Sequence, residues 1–265
     1  MAKKALCVGI NDFPGAGNDL RGCVNDANAW ATLLAERFGF ARPDVRVLLD
    51  AQATKRATMS ALKSLLARAA AGDTLVFTVS SHGTYLADES GDETYDEAIC
   101  PFDCDRNLIV DDELRELFGG LAAGVSMTVI ADCCHSGTIT RAADAGGGAD
   151  DRRARFLHPA AIGRRVLADP LAAAPRRATA HPQSKMKELL LSGCSPTEYS
   201  YDARIGGAYH GAMTFHAIKA IAAANYKITW NELHARTRSL LDAARYPQHP
   251  QLEGTPANKG RQVFA

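Results

Sequence analysis

Five short apolar runs rich in β-branched residues recur along the chain, and amphipathic segments with helical period separate them. Runs of this kind are typical of strands that are buried on both faces of a parallel sheet. We therefore predict an α/β fold with a mostly parallel central sheet and helices on both of its faces. The predicted strands are ALCVGI at 5–10, VRVLL at 45–49, TLVFTVS at 74–80, MTVIA at 127–131 and LLLSGC at 189–194.

The pattern stops after the fourth strand and resumes before the fifth. Residues 138–187 are rich in Ala, Gly, Arg and Pro and show no sustained period, which predicts a flexible, Arg-rich linker. Strands and helices continue on its far side, where Thr229 and Glu232 have the spacing of a helix capping box. We predict a single domain over 1–265, with a larger part at 1–137 and a smaller part at 188–265.

Composition narrows the class of protein. Of 265 residues, 46% are apolar, which is enough for a sizeable core, and 30 basic residues balance 30 acidic ones. We therefore expect no binding to nucleic acid or to anionic membranes. No apolar stretch reaches the length of a membrane span or has the form of a signal peptide, which favours a cytoplasmic protein. The seven scattered cysteines indicate reduced thiols rather than a disulfide framework.

Reactive side chains follow two of the predicted strands. TLVFTVS runs into SHG, which places His82 and Gly83 at a strand end, and MTVIA runs into DCCHSG. Ligands bind at the carboxyl ends of parallel strands, and a nucleophilic thiol needs a nearby imidazole and backbone N–H groups for the oxyanion. Structural roles for the cysteines and histidines are the alternative. A zinc site is a further alternative, although the usual paired CxxC spacing is missing; its ligands would be Cys100, Cys104, Cys133, Cys134 and His135.

Five ordered motifs together resemble those of the metacaspases, which are caspase-like cysteine peptidases of clan CD, family C14. These motifs are VSSHGTY, GDETYDEAICPFD, IVDDEL, ADCCHSGT and LSGCSPTEYS. His82 also precedes Cys134 by about 50 residues, as in caspases. The resemblance implies a caspase-like (caspase-hemoglobinase) fold. It also implies a metacaspase of the bacterial type or of type I without a prodomain.

The resemblance also assigns roles within DCCHSG. The family signature is Asp-Ser-Cys-His-Ser-Gly, so Cys134 takes the place of the nucleophile and Cys133 that of the serine. His82 is then the catalytic histidine, and the backbone N–H groups of Gly83 and Cys134 would receive the oxyanion. Cys133 departs from the signature, and we expect it to be packed in the core, with a redox role as the alternative.

Two carboxylates predict the substrate preference. If Asp26 and Asp132 both line the cleft, each attracts a cation by about 1 kcal/mol in water and about 4 kcal/mol at an effective dielectric of about 20, for charges about 4 Å apart. That favours Arg or Lys at P1, the residue before the cleaved bond. The resemblance implies the same specificity, with Cys23, Asp26, Ser80 and Asp132 in the S1 pocket. A helix cap is the alternative role for Asp26.

Acidic residues concentrate at 88–97 and at 111–113. A solvated loop followed by a helix N-terminus would explain them, and calcium, which prefers oxygen ligands, is the alternative. The resemblance implies activation by calcium bound at Asp96, Asp111 and Asp112.

The basic linker is a candidate for self-cleavage, since it would offer accessible arginines to an Arg-specific peptidase. We expect cleavage after Arg153, Arg155 or Arg165, and the alternative is an uncleaved, solvated loop. The sequence thus predicts a monomeric cysteine endopeptidase that acts on proteins or peptides with Arg or Lys at P1. A catalytically silent scaffold and a clan CD peptidase with another P1 preference, such as Asp, are the alternatives.

Overall fold

A computed structural model gives the fold and describes residues 1–87, 95–134, 151–163 and 186–265. Its main sheet has six strands in the order β12-β9-β7-β3-β1-β2. All neighbours in it pair in parallel except the edge strand β12, which is antiparallel to β9. These strands are β1 Lys3–Gly9, β2 Val45–Leu49, β3 Thr74–Ser80, β7 Ser126–Asp132, β9 Glu188–Ser192 and β12 Gln251–Glu253. All five predicted strands are present.

Helices cover both faces of this sheet. Because side chains alternate along each strand, one strand contributes residues to the cores on both faces. Leu6 and Val8 of β1 pack in a core with α2 and α3, whereas Ala5 and Cys7 pack in a second core with α1, α4 and α5. The helices are α1 Cys23–Arg37, α2 Lys55–Leu66, α3 Asp111–Gly119, α4 Ala212–Ala223, α5 Trp230–Ala243 and the short α6 Pro256–Lys259. The predicted capping box of Thr229 and Glu232 is present at the start of α5.

Two small antiparallel sheets were not predicted. The first has the order β4-β5-β6 and begins directly after His82, and the second has the order β11-β10-β8. Their strands are short, which leaves little periodic signal in the sequence. They are β4 Gly83–Ala87, β5 Tyr95–Ile99, β6 Ile109–Val110, β8 Arg152–Ala154, β10 Tyr201–Ile205 and β11 Ala208–Gly211.

Two predictions need correction. β2 is not buried on both faces, because it lies at the edge of the sheet and Arg46 is exposed. The linker prediction is wrong for residues 151–163, which form β8 and a short 3₁₀ turn at Pro159–Ile162. This segment has order because β8 pairs with β10, a tertiary contact that no local pattern signals. The rest of the linker lies outside the described residues.

Candidate active site

The ends of two neighbouring strands bring His82 and Cys134 to one edge of the sheet. β3 and β7 are parallel neighbours, and their last residues, Ser80 and Asp132, are in register. His82 and Cys134 lie two residues beyond the ends of β3 and β7, and both are fully buried. The arrangement follows from two adjacent parallel strands that end at the same level.

The His82 ring is oriented by a backbone group. Its Nε2 lies 2.8 Å from the carbonyl oxygen of Asn18, so Nε2 carries the proton that it donates, and Nδ1 keeps its lone pair. Nδ1 has no hydrogen-bond partner among the described residues. Burial lowers the pKa of His82 to about 3; the hydrogen bond to Asn18 opposes this, and the charges of Arg153 and Arg155 add to it. The ring is therefore a neutral imidazole with an available base at Nδ1.

The Cys134 thiol lies against the loop between β9 and β10. The backbone N–H of Ser200 donates to Cys134 Sγ at 2.7 Å, and Sγ lies 3.3 Å from the carbonyl oxygen of the same residue. A hydrogen bond with Cys134, together with burial, raises the pKa of the Cys194 thiol well above its usual value. The backbone N–H and carbonyl of Ser200 together fix the position of the Cys134 sulfur.

Two backbone N–H groups converge on the carbonyl oxygen of Arg155. Gly83 N donates to it at 3.0 Å and Cys134 N at 3.2 Å. These are the two groups that the resemblance assigns to the oxyanion. A Cβ at position 83 would overlap the carbonyl oxygen of Cys134, so only glycine allows this close approach. The arrangement has the form of an oxyanion hole around the Arg155–Phe156 peptide bond.

The Arg155 side chain fills a pocket lined by three carboxylates. Its guanidinium is fully buried and lies 2.7 Å from Asp26, 2.9 Å from Asp202 and 3.5 Å from Asp132. Burial alone would lower the pKa of Arg155, but the Cys23 thiol and these three carboxylates raise it well above its usual value. Without this guanidinium the three carboxylates would be buried with no cation beside them, which is energetically costly.

Backbone groups hold the carboxylates in place. Gly211 N donates to Asp26 at 2.9 Å, Thr214 N donates to Asp132 at 2.9 Å, and Gly22 N donates to Asp202 at 3.0 Å. The alternative role of Asp26 as a helix cap is wrong: α1 is capped at Gly22, and Asp26 lies inside its first turn.

The other two residues assigned to S1 lie beside this pocket. Cys23 is fully buried, and the positive charge of Arg155 acts on its thiol, although burial dominates and raises the pKa of Cys23. Ser80 is buried at the end of β3, in register with Asp132. The Cys23 thiol therefore lies within reach of the Arg155 charge, and Ser80 lies level with Asp132 on the neighbouring strand.

The segment continues past Arg155 along β4. Leu157 N donates to Gly83 O at 3.0 Å, and the Phe156 ring lies between Tyr85 and Tyr199, with centroids 6.2 and 5.9 Å away. The chain thus crosses the site in an extended form with Arg155 at its centre.

Comparison with known proteins identifies the family. Residues 3–143 match the model of the metacaspase, peptidase C14 domain. Metacaspase-1A of Aspergillus fumigatus is 33% identical over 286 residues, a match that covers 94% of this chain and 68% of that protein. The chain belongs to the metacaspase family. Metacaspase-4 of Arabidopsis thaliana is 43% identical over 147 residues, which cover 52% of this chain but only 34% of that protein.

Solved structures show that this metacaspase has the caspase-like fold, as the resemblance implied. A crystal structure of a protein from Geobacter sulfurreducens aligns over 100% of this chain, with a TM-score of 0.75 and 27% identity. Caspase-1 from Spodoptera frugiperda aligns over 95% of it, with a TM-score of 0.56 and 13% identity. Within the described parts of the chain, no helix has the length and apolar character needed to span a bilayer.

In the described structure, two of the three acids that the metacaspase resemblance assigns to calcium are paired with an arginine. Asp111 and Asp112 stand at the start of α3 and both pair with Arg115, while Asp96 lies on β5. Burial raises the pKa of Asp111, and its Oδ1 has no partner in the described structure. Across the described ranges, no three His, Cys, Asp or Glu side chains are grouped so that they could hold a metal; His135 of the zinc alternative and the acidic residues at 88–94 lie outside these ranges.

The cysteines are free and buried. Cys133 packs in the core with α2 and α3, and burial raises its pKa well above the usual value. Of the other predicted site residues, Arg153 lies on β8 with its guanidinium directed to the carbonyl oxygens of Asp19 and Gly17. His135 and Arg165 lie outside the described residues.

Sequence reasoning missed three contributors to the site. Asn18 acts through its backbone carbonyl, which leaves no signature in the sequence. Ser200 acts through its N–H and through a hydroxyl that donates to Asp132. Asp202 could have been suspected, because it stands two residues after the motif LSGCSPTEYS.

Proposed function

We propose that the chain is a cysteine endopeptidase that cleaves after Arg or Lys and cleaves itself between Arg155 and Phe156. One observation carries the proposal: the Arg155 guanidinium fills an acidic pocket while its carbonyl oxygen accepts from both Gly83 N and Cys134 N. A peptide bond held in this way is presented for acyl transfer.

The reaction needs only the groups at this site and one water molecule. The Cys134 thiol gives its proton to Nδ1 of His82, and Sγ attacks the Arg155 carbonyl carbon. The oxyanion forms between the two N–H donors, and its collapse breaks the bond to Phe156, whose nitrogen takes the proton from His82. Water, deprotonated by His82, then hydrolyses the thioester, which leaves a carboxylate at Arg155 and restores the thiol.

Arg155 is the best supported of the three candidate self-cleavage sites. Arg153 lies two residues upstream, and its guanidinium donates to the carbonyl oxygens of Gly17 and Asp19 rather than entering the pocket. Arg165 lies outside the described residues. The buried ion pairs of Arg155 support the same preference for a basic P1 residue in other proteins and peptides, which we propose as the substrates.

A panel of fluorogenic peptides that differ only at P1 tests the specificity. It carries Arg, Lys, Asp or Leu at P1 and is incubated with self-processed protein and with Cys134→Ala protein. We expect cleavage after Arg and Lys by the active chain alone. Preferential cleavage after Asp would refute the specificity, and no cleavage of any peptide would favour the silent scaffold.

Calcium stimulation stays a prediction that rests on the resemblance. Arg115 would have to release Asp111 and Asp112 before these carboxylates could bind an ion. The test compares the cleavage rate of the Arg peptide with calcium and with a chelator, in the wild type and in Arg115→Gln. A monomeric state and a cytoplasmic location also stay predictions.

A further inference from the structure

The occupied cleft shows where residues upstream of the cleaved bond bind. Arg155 N donates to Ser200 O at 2.8 Å, and β8 continues the pairing by adding an antiparallel strand to β10, with Arg152 opposite Ala203. Such pairing uses backbone groups and is open to other sequences. A peptide bound with its P1 residue in the acidic pocket therefore places its P4 residue where Arg152 lies.

At that position the guanidinium of Arg152 meets an aromatic face and a carbonyl. Its Cζ is 4.2 Å from the centroid of the Tyr246 ring, and Nη1 donates to Arg245 O at 2.8 Å. Both partners attract a cation: the ring through its negative face and the carbonyl through its oxygen. Neither would favour a carboxylate.

The Tyr246 ring is held rather than mobile. It is 8% exposed and packs against Tyr201 and His216, with ring centroids 6.3 and 6.0 Å away. The chain turns just before it at Arg245, whose φ of 59° lies in the left-handed region. The ring face and the Arg245 carbonyl are thus held beside the strand by neighbouring side chains and by the local turn of the backbone.

We infer that Tyr246 and the carbonyl of Arg245 form an S4 subsite for a cationic side chain. The favoured substrates would then carry two basic residues, at P4 and at P1. This inference rests on the proposed peptidase function and adds to it a second determinant, which lies outside the acidic pocket.

Three peptides test the subsite in self-processed protein. All keep Arg-Ala-Arg at P3 to P1, and P4 is Arg, citrulline or Leu. Citrulline matches arginine in shape and can still donate to Arg245 O, but it carries no charge. We expect kcat/KM for the Arg peptide to exceed that for the citrulline peptide by about three- to tenfold.

Variants at Tyr246 show whether the ring is responsible. The Arg-to-citrulline ratio should persist in Tyr246→Phe, which keeps the aromatic face, and fall clearly in Tyr246→Leu, where only the Arg245 carbonyl still attracts the cation. If the Leu variant does not fold, fluorinated phenylalanines at 246 replace it, because fluorine weakens the negative face and should lower the ratio stepwise.

The possible results separate the inference from the proposed function. A wild-type ratio near one, or a ratio that survives loss of the aromatic face, would overturn the S4 subsite while cleavage after Arg stands. No cleavage of any of the three peptides would overturn the peptidase function and the subsite with it.

Discussion

Replacement of Arg155 by methionine tests whether this side chain occupies the acidic pocket. The variant is made in Cys134→Ala protein, so that no cleavage intervenes. Arg155 is fully buried against Asp26, Asp132 and Asp202. Removal of one partner from a buried ion pair costs about 3–5 kcal/mol, which for a chain of this size lowers Tm by roughly 6–20 °C.

Thermal unfolding followed by circular dichroism or calorimetry measures the effect, and Arg153→Met is the matched control. Arg153 stands two residues upstream but donates to backbone carbonyls, so its loss should cost about 1 kcal/mol. Agmatine, a small guanidinium compound, should raise the Tm of the Arg155→Met protein and leave the Cys134→Ala parent almost unchanged. Equal Tm values for the two methionine variants, with no response to agmatine, would refute the buried position of Arg155.

Three further predictions follow from the same geometry. Gly211→Ala should reduce kcat/KM for Arg peptides by at least about 100-fold, because a Cβ there would overlap the Asp132 carboxylate and displace the bound residue. Asp202→Asn should lower kcat/KM for Arg peptides on the order of 30-fold, because the buried guanidinium loses one of its three carboxylate partners. Asp44 is exposed, so the control Asp44→Asn should have no effect. The pKa of His82 is lowered to about 3 from 6.5, so between these values the unfolded state binds a proton that the folded state does not. Its contribution to the free energy of unfolding therefore falls as the pH falls from 6.5 towards 3, and urea unfolding of the Cys134→Ala protein should show a steeper loss across this window with His82 than with His82→Gln.

The main sheet was open to prediction because its strands are buried on both faces and read as continuous apolar runs. Once β3 and β7 are placed side by side, their ends bring His82 and Cys134 together without further information. β2 departs from the prediction because it lies at the edge of the sheet, where Arg46 is exposed to solvent.

The segment that occupies the cleft, β8 together with Arg155, could not be predicted from the sequence as a structural element. Arg152–Ala154 has no pattern of its own and becomes a strand through pairing with β10. Asp202 meets Arg155 only in the folded chain, and Asn18 contributes a carbonyl oxygen that any residue carries. Such contacts depend on tertiary structure, which explains why the sequence indicated an arginine in the linker but not which one is held.

The most direct measurement is the identity of the fragments that the purified chain produces on its own. Intact-mass analysis and N-terminal sequencing of wild-type and Cys134→Ala protein would be compared over time. We expect a new N-terminus at Phe156 in the wild type and a full-length chain in Cys134→Ala. A wild-type chain that stays intact, or a Cys134→Ala chain cut at the same bond, would contradict the account.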